Sequence, residues 1–188
     1  KEAKAKVVYF CREETRTLNP NQSAVLAIAS ILGIDRESVF GVFEEFKGIE
    51  HRLEFVAEIN KIKFINDSKA TTVDSTLWAL KNIAEPVILI AGGRDKGSDY
   101  SAISDLMQKK AKEAILIGEA KEKIKEALMG GLPIHEVSTL QEAVSLAFSK
   151  AKPGDCVLLS PACASFDMFK NYSQRGEMFC AAVQKVTT

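Results

Sequence analysis

This chain is conspicuously short of excesses. Its 25 Lys+Arg and 25 Asp+Glu cancel, giving a formal net charge of zero across 188 residues. That removes support for nucleic acid as a partner through a broad basic field. No apolar run reaches the ~18 residues a membrane-spanning helix needs, so no membrane partner is expected. Lys1 to Lys6 are charged and lack the apolar centre of a signal peptide. The four cysteines, Cys11, Cys156, Cys163 and Cys180, include no C-x-x-C pair. Reduced thiols in a cytoplasmic protein are the simplest account of them. Neither a G-x-G-x-x-G dinucleotide fingerprint nor a G-x-x-x-x-G-K-[ST] phosphate loop occurs. What is there, 46% hydrophobic and 27% charged residues, reads as globular, with length for one domain or one and a fraction.

The character of the chain changes near Gly48. Before it, Val7 to Cys11 reads as a short apolar strand followed by a polar stretch from Arg12 to Gln22. Ser23 is the expected cap of a helix over Ala24 to Leu32, ended by Gly33. A second helix is expected over Asp35 to Phe46, with Val39, Phe40, Val42, Phe43 and Phe46 at helical spacing. One strand and two helices are too few for a core of their own. Residues 1–47 are therefore expected to be the tail of another α/β domain.

From Gly48 onward the pattern is regular. Arg52–Ile59 and Lys61–Ile65 predict a β-hairpin turning at Asn60-Lys61. Helices are then predicted over Thr72–Asn82, Ala102–Ala111, Lys121–Met129, Leu140–Lys150 and Phe166–Val186. They alternate with strands at Val87–Ala91, Ala114–Ile117, Ile134–Val137 and Cys156–Ser160. Strands apolar throughout, each separated by a helix, indicate a parallel sheet covered on both faces. The expected fold is a Rossmann-like, doubly wound, mostly parallel α/β domain of roughly 140 residues with a leading hairpin.

Ligands of such sheets bind beyond the carboxyl ends of the strands. Three strand ends carry polar clusters: Asn66-Asp-Ser-Lys-Ala-Thr-Thr72, Gly92-Gly-Arg-Asp-Lys-Gly97 and Ser160-Pro-Ala-Cys-Ala-Ser165. All three should share one edge. The first runs into a helix N-terminus, where Lys69 suits an anion, or where Ser68, Thr71 or Thr72 simply caps the helix. In the second, Arg94 and Lys96 suit a carboxylate or phosphate, and the glycines admit either a ligand or a tight turn. In the third, Ser165 is expected near the start of the last helix, a second anion site. Neither His51 nor His135 has a visible reason to lie beside Cys163, His135 falling in a predicted short strand, and cysteine catalysis is rejected. Asp155 and Asp167 lack the spacing of glycosidase or metal carboxylates.

Gly48-Ile-Glu-His51-Arg52-Leu-Glu54, Asn66-Asp67-Ser68-Lys69-Ala70-Thr71, Gly92-Gly93-Arg-Asp-Lys96, Leu159-Ser-Pro-Ala-Cys-Ala-Ser165-Phe-Asp167 and Phe169-Lys-Asn-Tyr-Ser-Gln-Arg-Gly176 occur in that order. Together they resemble the ATP-dependent Mur ligases of peptidoglycan synthesis. The S-P-A-C-A-S-x-D-x-F and K-N-[FY]-x-x-R-G segments are similar to those of the D-glutamate-adding members. The resemblance implies that ATP activates UDP-N-acetylmuramoyl-L-alanine as an acyl phosphate, which D-glutamate then attacks. It implies a catalytic His51 and Arg52 at a domain seam, Arg52 near the ATP phosphates, Asp67 on the ribose and Lys69 beside them. It gives Thr71, Lys96, Ser165, Phe166 and Tyr172 to D-glutamate, and places ATP and Mg2+ mainly on a central domain absent from this chain. In that family the helix opening H-N-x-x-N stands where this chain has Asn19-Pro-Asn-Gln-Ser23. Residues 1–47 would be the end of the central ATP-binding domain and 48–188 the amino-acid-binding domain, inactive without the remaining domains as partners. The alternatives are another Mur-type or a folylpolyglutamate-type amide ligase, or an isolated anion-binding module.

Overall fold

The computed structural model describes Tyr9 and residues 18–186; the expected strand over Val7–Cys11 and most of the polar stretch after it lie outside the described residues. The chain divides into two compact units, Lys1–Gly48 and Ile49–Thr188.

The first unit contributes helices α1 (Pro20–Ile31) and α2 (Arg36–Glu45). The cap of α1 is Asn19, not Ser23. Asn19 Oδ1 accepts from Gln22 N, and the Gln22 side chain accepts from Asn19 N, with Pro20 at the first helical position. A reciprocal capping box with proline at N1 satisfies more orphan amides than a lone serine does. Ser23 lies inside the helix, its hydroxyl returned to Asn19 O. Asp35 caps α2. Of the apolar residues of α2, Val39 is buried with Leu26 and Ala29, and Phe43 packs partly against them.

The second unit is a six-stranded sheet in the order β1-β2-β6-β3-β4-β5. Strands β1 (Glu54–Ile59) and β2 (Ile62–Asn66) form the antiparallel hairpin. Asn60 and Lys61 turn it, both at positive φ (53° and 63°), as a type I′ turn demands. Strands β3 (Val87–Gly92), β4 (Ala111–Ile117), β5 (Ile134–Glu136) and β6 (Cys156–Leu159) join in parallel. Side chains of the central strands alternate between two cores. Leu89, Ala91, Leu116 and Leu158 pack with Leu80, Ile103, Met107 and Ile124, from α3 (Val73–Asn82), α4 (Ser101–Lys110) and α5 (Lys121–Leu128). Ile88, Ile90, Ile115 and Val157 pack with Val144, Ala147, Phe179 and Val183, from α6 (Leu140–Lys150) and α7 (Tyr172–Lys185). Each fully buried leucine or isoleucine contributes about 1.5–3 kcal/mol, so burial on both faces specifies the layers. This is the doubly wound fold the alternating pattern predicts.

One boundary moves in a way that affects the site. The last helix begins at Tyr172, not at Phe166, because Asn171 accepts from Gln174 N and caps it there. Ser165–Met168 instead form a separate turn, closed by Met168 N and Phe169 N donating to Ser165 O. Ser165 is therefore not at the N-terminus of that helix. Among the described residues no helix is long and apolar enough to cross a membrane.

Candidate active site

Parallel pairing of β2 with β6, and of β6 with β3, sets Asn66 beside Leu159 and Leu159 beside Ile90. The three polar clusters that follow these strands therefore emerge at one edge of the sheet. A shallow groove of about 370 Å³, lined by Glu58, Lys61, Lys63, Glu85, Gly154 and Asp155, lies at the opposite ends of the same strands and touches none of them.

Behind the edge is a buried polar network. Asn66 Nδ2 donates to His51 Nδ1 (2.9 Å) and to Glu54 Oε2 (3.0 Å), while Asn66 Oδ1 accepts from Ser68 N. An amide NH₂ can only donate, so the network assigns the proton of a neutral His51 to Nε2. His51 also holds the loop by its backbone: its N–H donates to Glu54 Oε2, and its carbonyl accepts from Lys69 N. Both His51 and Leu53 sit at positive φ, and Arg52 between them is exposed. Arg52 forms no ion pair among the described residues, although its charge reaches Asp67.

Asp67 is 4% exposed. Its Oδ1 accepts from Leu53 N (3.2 Å) and its Oδ2 from Ser160 Oγ (2.8 Å). Burial pushes its pKa up to about 6, against the opposing effects of Ser160, the Leu53 amide and Arg52. Lys69 donates to Tyr172 Oη (3.1 Å) and lies 4.8 Å from the centre of the same ring, which lowers the phenol's pKa. The helix cap is Thr72, whose Oγ1 accepts from Ser75 N. Thr71 is left half-buried at the mouth of the helix, and Ser68 is used elsewhere: its hydroxyl donates to Tyr172 O.

At the end of β3 the charges sort themselves. Arg94 forks onto Glu119 through Nε (3.3 Å) and Nη2 (3.1 Å), and Lys123 pairs with Asp95. Lys96 is exposed and, among the described residues, has no hydrogen-bond or ion-pair partner. Gly93 serves the chain's own backbone. It lies at φ 137°, and a Cβ there would overlap Ala164 O and stand 3.1 Å from Cys163 Cβ. That close approach allows Arg94 N to donate to Ala164 O and ties the second cluster to the third.

In the third cluster Ser165 is nearly buried, whereas Phe166 is 61% exposed. Cys163 is buried beside Tyr100 Oη, and burial pushes its thiol up to about 11, so it remains a thiol at neutral pH. Asp155 and Asp167 are separated by the length of a strand: the first pairs with Lys112, the second accepts from Glu119 N. His135, in β5, bonds Glu113.

Hydrogen bonds therefore join His51, Lys69 and Tyr172 in one cluster, with Asp67 bonded beneath Leu53. Thr71 joins the cluster only by its backbone, its N–H donating to Lys69 O, while the side chains of Arg52 and Lys96 have no hydrogen bond among the described residues; the Arg94–Ala164 bridge brings the Ser165 turn next to the β3 loop. Sequence reasoning missed Asn66 as the hub, Ser160 as the partner of Asp67, and Arg175. In the sequence Arg175 is the arginine of the K-N-[FY]-x-x-R-G segment, inside the helix expected over Phe166–Val186, and nothing local signals that it is buried.

The doubly wound, mostly parallel sheet with its polar loops gathered at one edge is a Rossmann-like domain. Residues 51–163 match the family model for the Mur ligase, glutamate ligase domain, and the chain belongs to that family. It is 45% identical over 166 residues to the UDP-N-acetylmuramoylalanine–D-glutamate ligase of Chloroherpeton thalassium, covering 88% of this chain and 36% of that protein. Its identity to the enzyme of the same name from Caldicellulosiruptor bescii is 48% over 171 residues, covering 89% and 37%. The chain thus spans about a third of the length of the curated relatives it matches. Among solved structures, a pseudomurein peptide ligase type C from Methanothermus fervidus aligns with TM-score 0.63 at 18% identity, covering 88% of this chain and 35% of that one. Folylpolyglutamate synthase of Mycobacterium tuberculosis complexed with ADP aligns with TM-score 0.63 at 13% identity, covering 84% and 39%. At such identities these two share the fold.

Proposed function

We propose that this chain is the amino-acid-binding part of an ATP-dependent ligase that adds D-glutamate to UDP-N-acetylmuramoyl-L-alanine. Residues 1–47 are, in this reading, the end of the ATP-binding domain. The observation that carries the proposal is the sorting of charge at the sheet edge: Arg94 is committed to Glu119, while Arg52 and Lys96 are exposed and, among the described residues, have no salt-bridge partner. A reaction that joins a nucleotide triphosphate, a carboxylate substrate and a dicarboxylate amino acid needs cations kept free of internal salt bridges.

The chemistry proceeds in two steps. The L-alanine carboxylate of the sugar substrate attacks the γ-phosphorus of ATP, ADP leaves, and an acyl phosphate forms. The D-glutamate amine then attacks the acyl carbon, loses a proton, and phosphate leaves from the tetrahedral intermediate. Arg52 stabilises the charge on the transferring phosphoryl group. Its two neighbours, His51 and Leu53, held at positive φ by the His51–Asn66–Glu54 network and by Asp67 beneath Leu53, orient it. A ribose contact by Asp67 would add to the two hydrogen bonds its oxygens already accept. Lys96, Thr71 and the Ser165 turn hold the two carboxylates of D-glutamate. Tyr172 aligns Lys69, and Phe166 covers the outer side. Among the described residues no group of three or more His, Cys, Asp or Glu side chains is placed to hold a metal ion.

The D-glutamate-adding reading is favoured over other Mur-type or folate-type ligases by the names of the relatives at 45% and 48% identity. The test is a split of kinetic effects in the full-length protein. Lys96→Ala is expected to raise KM for D-glutamate with little change for ATP, whereas Arg52→Ala lowers kcat. An unchanged D-glutamate KM in Lys96→Ala contradicts the assignment.

A further inference from the structure

We infer that Arg175 is a positioning residue whose guanidinium fixes the loop carrying Lys69 and Thr71 against the loop leading to Ser165, and so shapes the amino-acid subsite. The inference rests on the reading above for the identity of the amino acid, but its geometry does not. Arg175 is 0% exposed, among the largest fully buried side chains of the domain, and it forms no ion pair among the described residues. Its donors go to two loops. Nε donates to Ser68 Oγ (3.0 Å), and Nη2 to Ser68 O (2.8 Å) and Cys163 O (3.1 Å), while Nη1 donates to Cys163 O (3.2 Å). Ser68 precedes Lys69, and Cys163 lies two residues before Ser165. The β3 loop leans on the same group, because a Cβ at Gly93 would stand 3.2 Å from Nη1. Ser68 Oγ donates onward to Tyr172 O, which closes a ring from the loop to the start of α7 and back through Arg175.

A buried charge with no direct ion pair is costly, and burial lowers the pKa of Arg175 to about 10 against the opposing pull of Cys163 and Asp167, still cationic at neutral pH. An apolar side chain of similar volume would serve the core better. What only the guanidinium supplies is a planar fork that bonds carbonyls on two separate loops at once; a lysine ammonium is a single point and cannot span them in the same way. A dicarboxylate is held at both ends, so its affinity depends on the distance between the groups that hold it. Of the three loops that carry them, those of Thr71 and of Ser165 are the two that Arg175 joins.

The test uses the full-length protein with Arg175→Lys and Ser68→Ala. Arg175→Lys is expected to raise KM for D-glutamate about tenfold or more while KM for ATP stays within about twofold, since small misplacements of binding groups cost that much. Ser68→Ala should shift D-glutamate KM in the same direction by less. In both variants amide hydrogen exchange should quicken at residues 68–71 and 163–165 while exchange in the central strands is unchanged. A structural role alone would lower kcat with the fraction of folded protein and leave both KM values as they were; that result overturns the inference. Should Arg175→Lys fail to fold, Ser68→Ala decides, and unchanged KM and exchange there also overturn it. If the wild-type protein does not depend on D-glutamate, the functional reading fails, and exchange at the two loops still decides whether Arg175 tethers them.

Discussion

Gly176→Ala tests how closely α7 and the His51 loop fit. Within a helix, replacing glycine by alanine ordinarily stabilises by about 1 kcal/mol, because alanine restricts the unfolded chain and glycine does not. Here the sign should reverse. A Cβ at Gly176 would stand 2.8 Å from His51 Cγ and 2.9 Å from its Cε1, and closer still to Nδ1. The imidazole has little room to retreat, because Asn66 Nδ2 donates to its Nδ1 and the His51 backbone is held at both N–H and carbonyl. Overpacking a fixed core group costs about 1–3 kcal/mol, and loss of the Asn66 bond about 1 kcal/mol more. Set against the helix gain, the net loss is about 1–3 kcal/mol, or a fall in Tm of roughly 3–10 °C for a chain of this size. Equilibrium urea unfolding of wild type and variant measures it. The decisive control is His51→Ala, which removes the ring. In that background Gly176→Ala should regain its ordinary stabilising sign. A stabilising Gly176→Ala in the wild-type background, or the same sign in both, would refute the proposed fit.

Other outcomes are equally open to measurement. Asp67 has a folded pKa of about 6, above its ordinary 3.8, so the native state binds this proton more tightly than the unfolded state. Its contribution therefore weighs against the fold above pH about 6 and is relieved as pH falls toward 4. Asp67→Asn, which can accept from Leu53 N and donate to Ser160 Oγ, should gain on wild type in urea unfolding at pH about 7.5 and lose that advantage near pH 5. No difference between the two pH values contradicts the shift. Arg94→Ala removes a charge already spent on Glu119, so KM for D-glutamate should stay within about twofold of wild type. A change as large as that of Lys96→Ala would show that Arg94 is also available to substrate. Burial holds Cys156 and Cys163 as thiols, with pKa values pushed up to about 12 and about 11. Iodoacetamide at pH about 8 should leave both unmodified in the native chain, as peptide mapping would report, and rapid alkylation would contradict their burial.

The strands were legible because Val87–Ala91 and Cys156–Leu159 are apolar without interruption, and only a sheet covered on both faces calls for that. Convergence of three loops followed from parallel order alone. The start of the last helix was not legible. Phe166, Met168 and Phe169 keep an apolar spacing compatible with helix, and the choice is made by the Asn171 cap and by Ser165 O closing its own turn. Ser23 looks like a cap because it directly precedes the apolar run; the Asn19–Gln22 box, which begins four residues earlier, wins by satisfying the amides of both its residues. Within the site, the exposed Arg52 and Lys96 could be proposed from type and place. Asn66 and Arg175 could not, since their roles arise from partners as distant in sequence as Gly176 and Ser68. Arg94 and Lys96 look alike as residues, and only the presence of Glu119 beside one of them tells them apart.

The most direct test of the functional reading is phosphate release from ATP by the full-length protein with UDP-N-acetylmuramoyl-L-alanine, measured across a panel of amino acids. Turnover should require D-glutamate, remain low with L-glutamate and other amino acids, and lose its D-glutamate saturation when Lys96 is replaced by alanine. Turnover that is indifferent to D-glutamate, or that prefers another amino acid, would contradict the assignment of this sheet edge as a D-glutamate site.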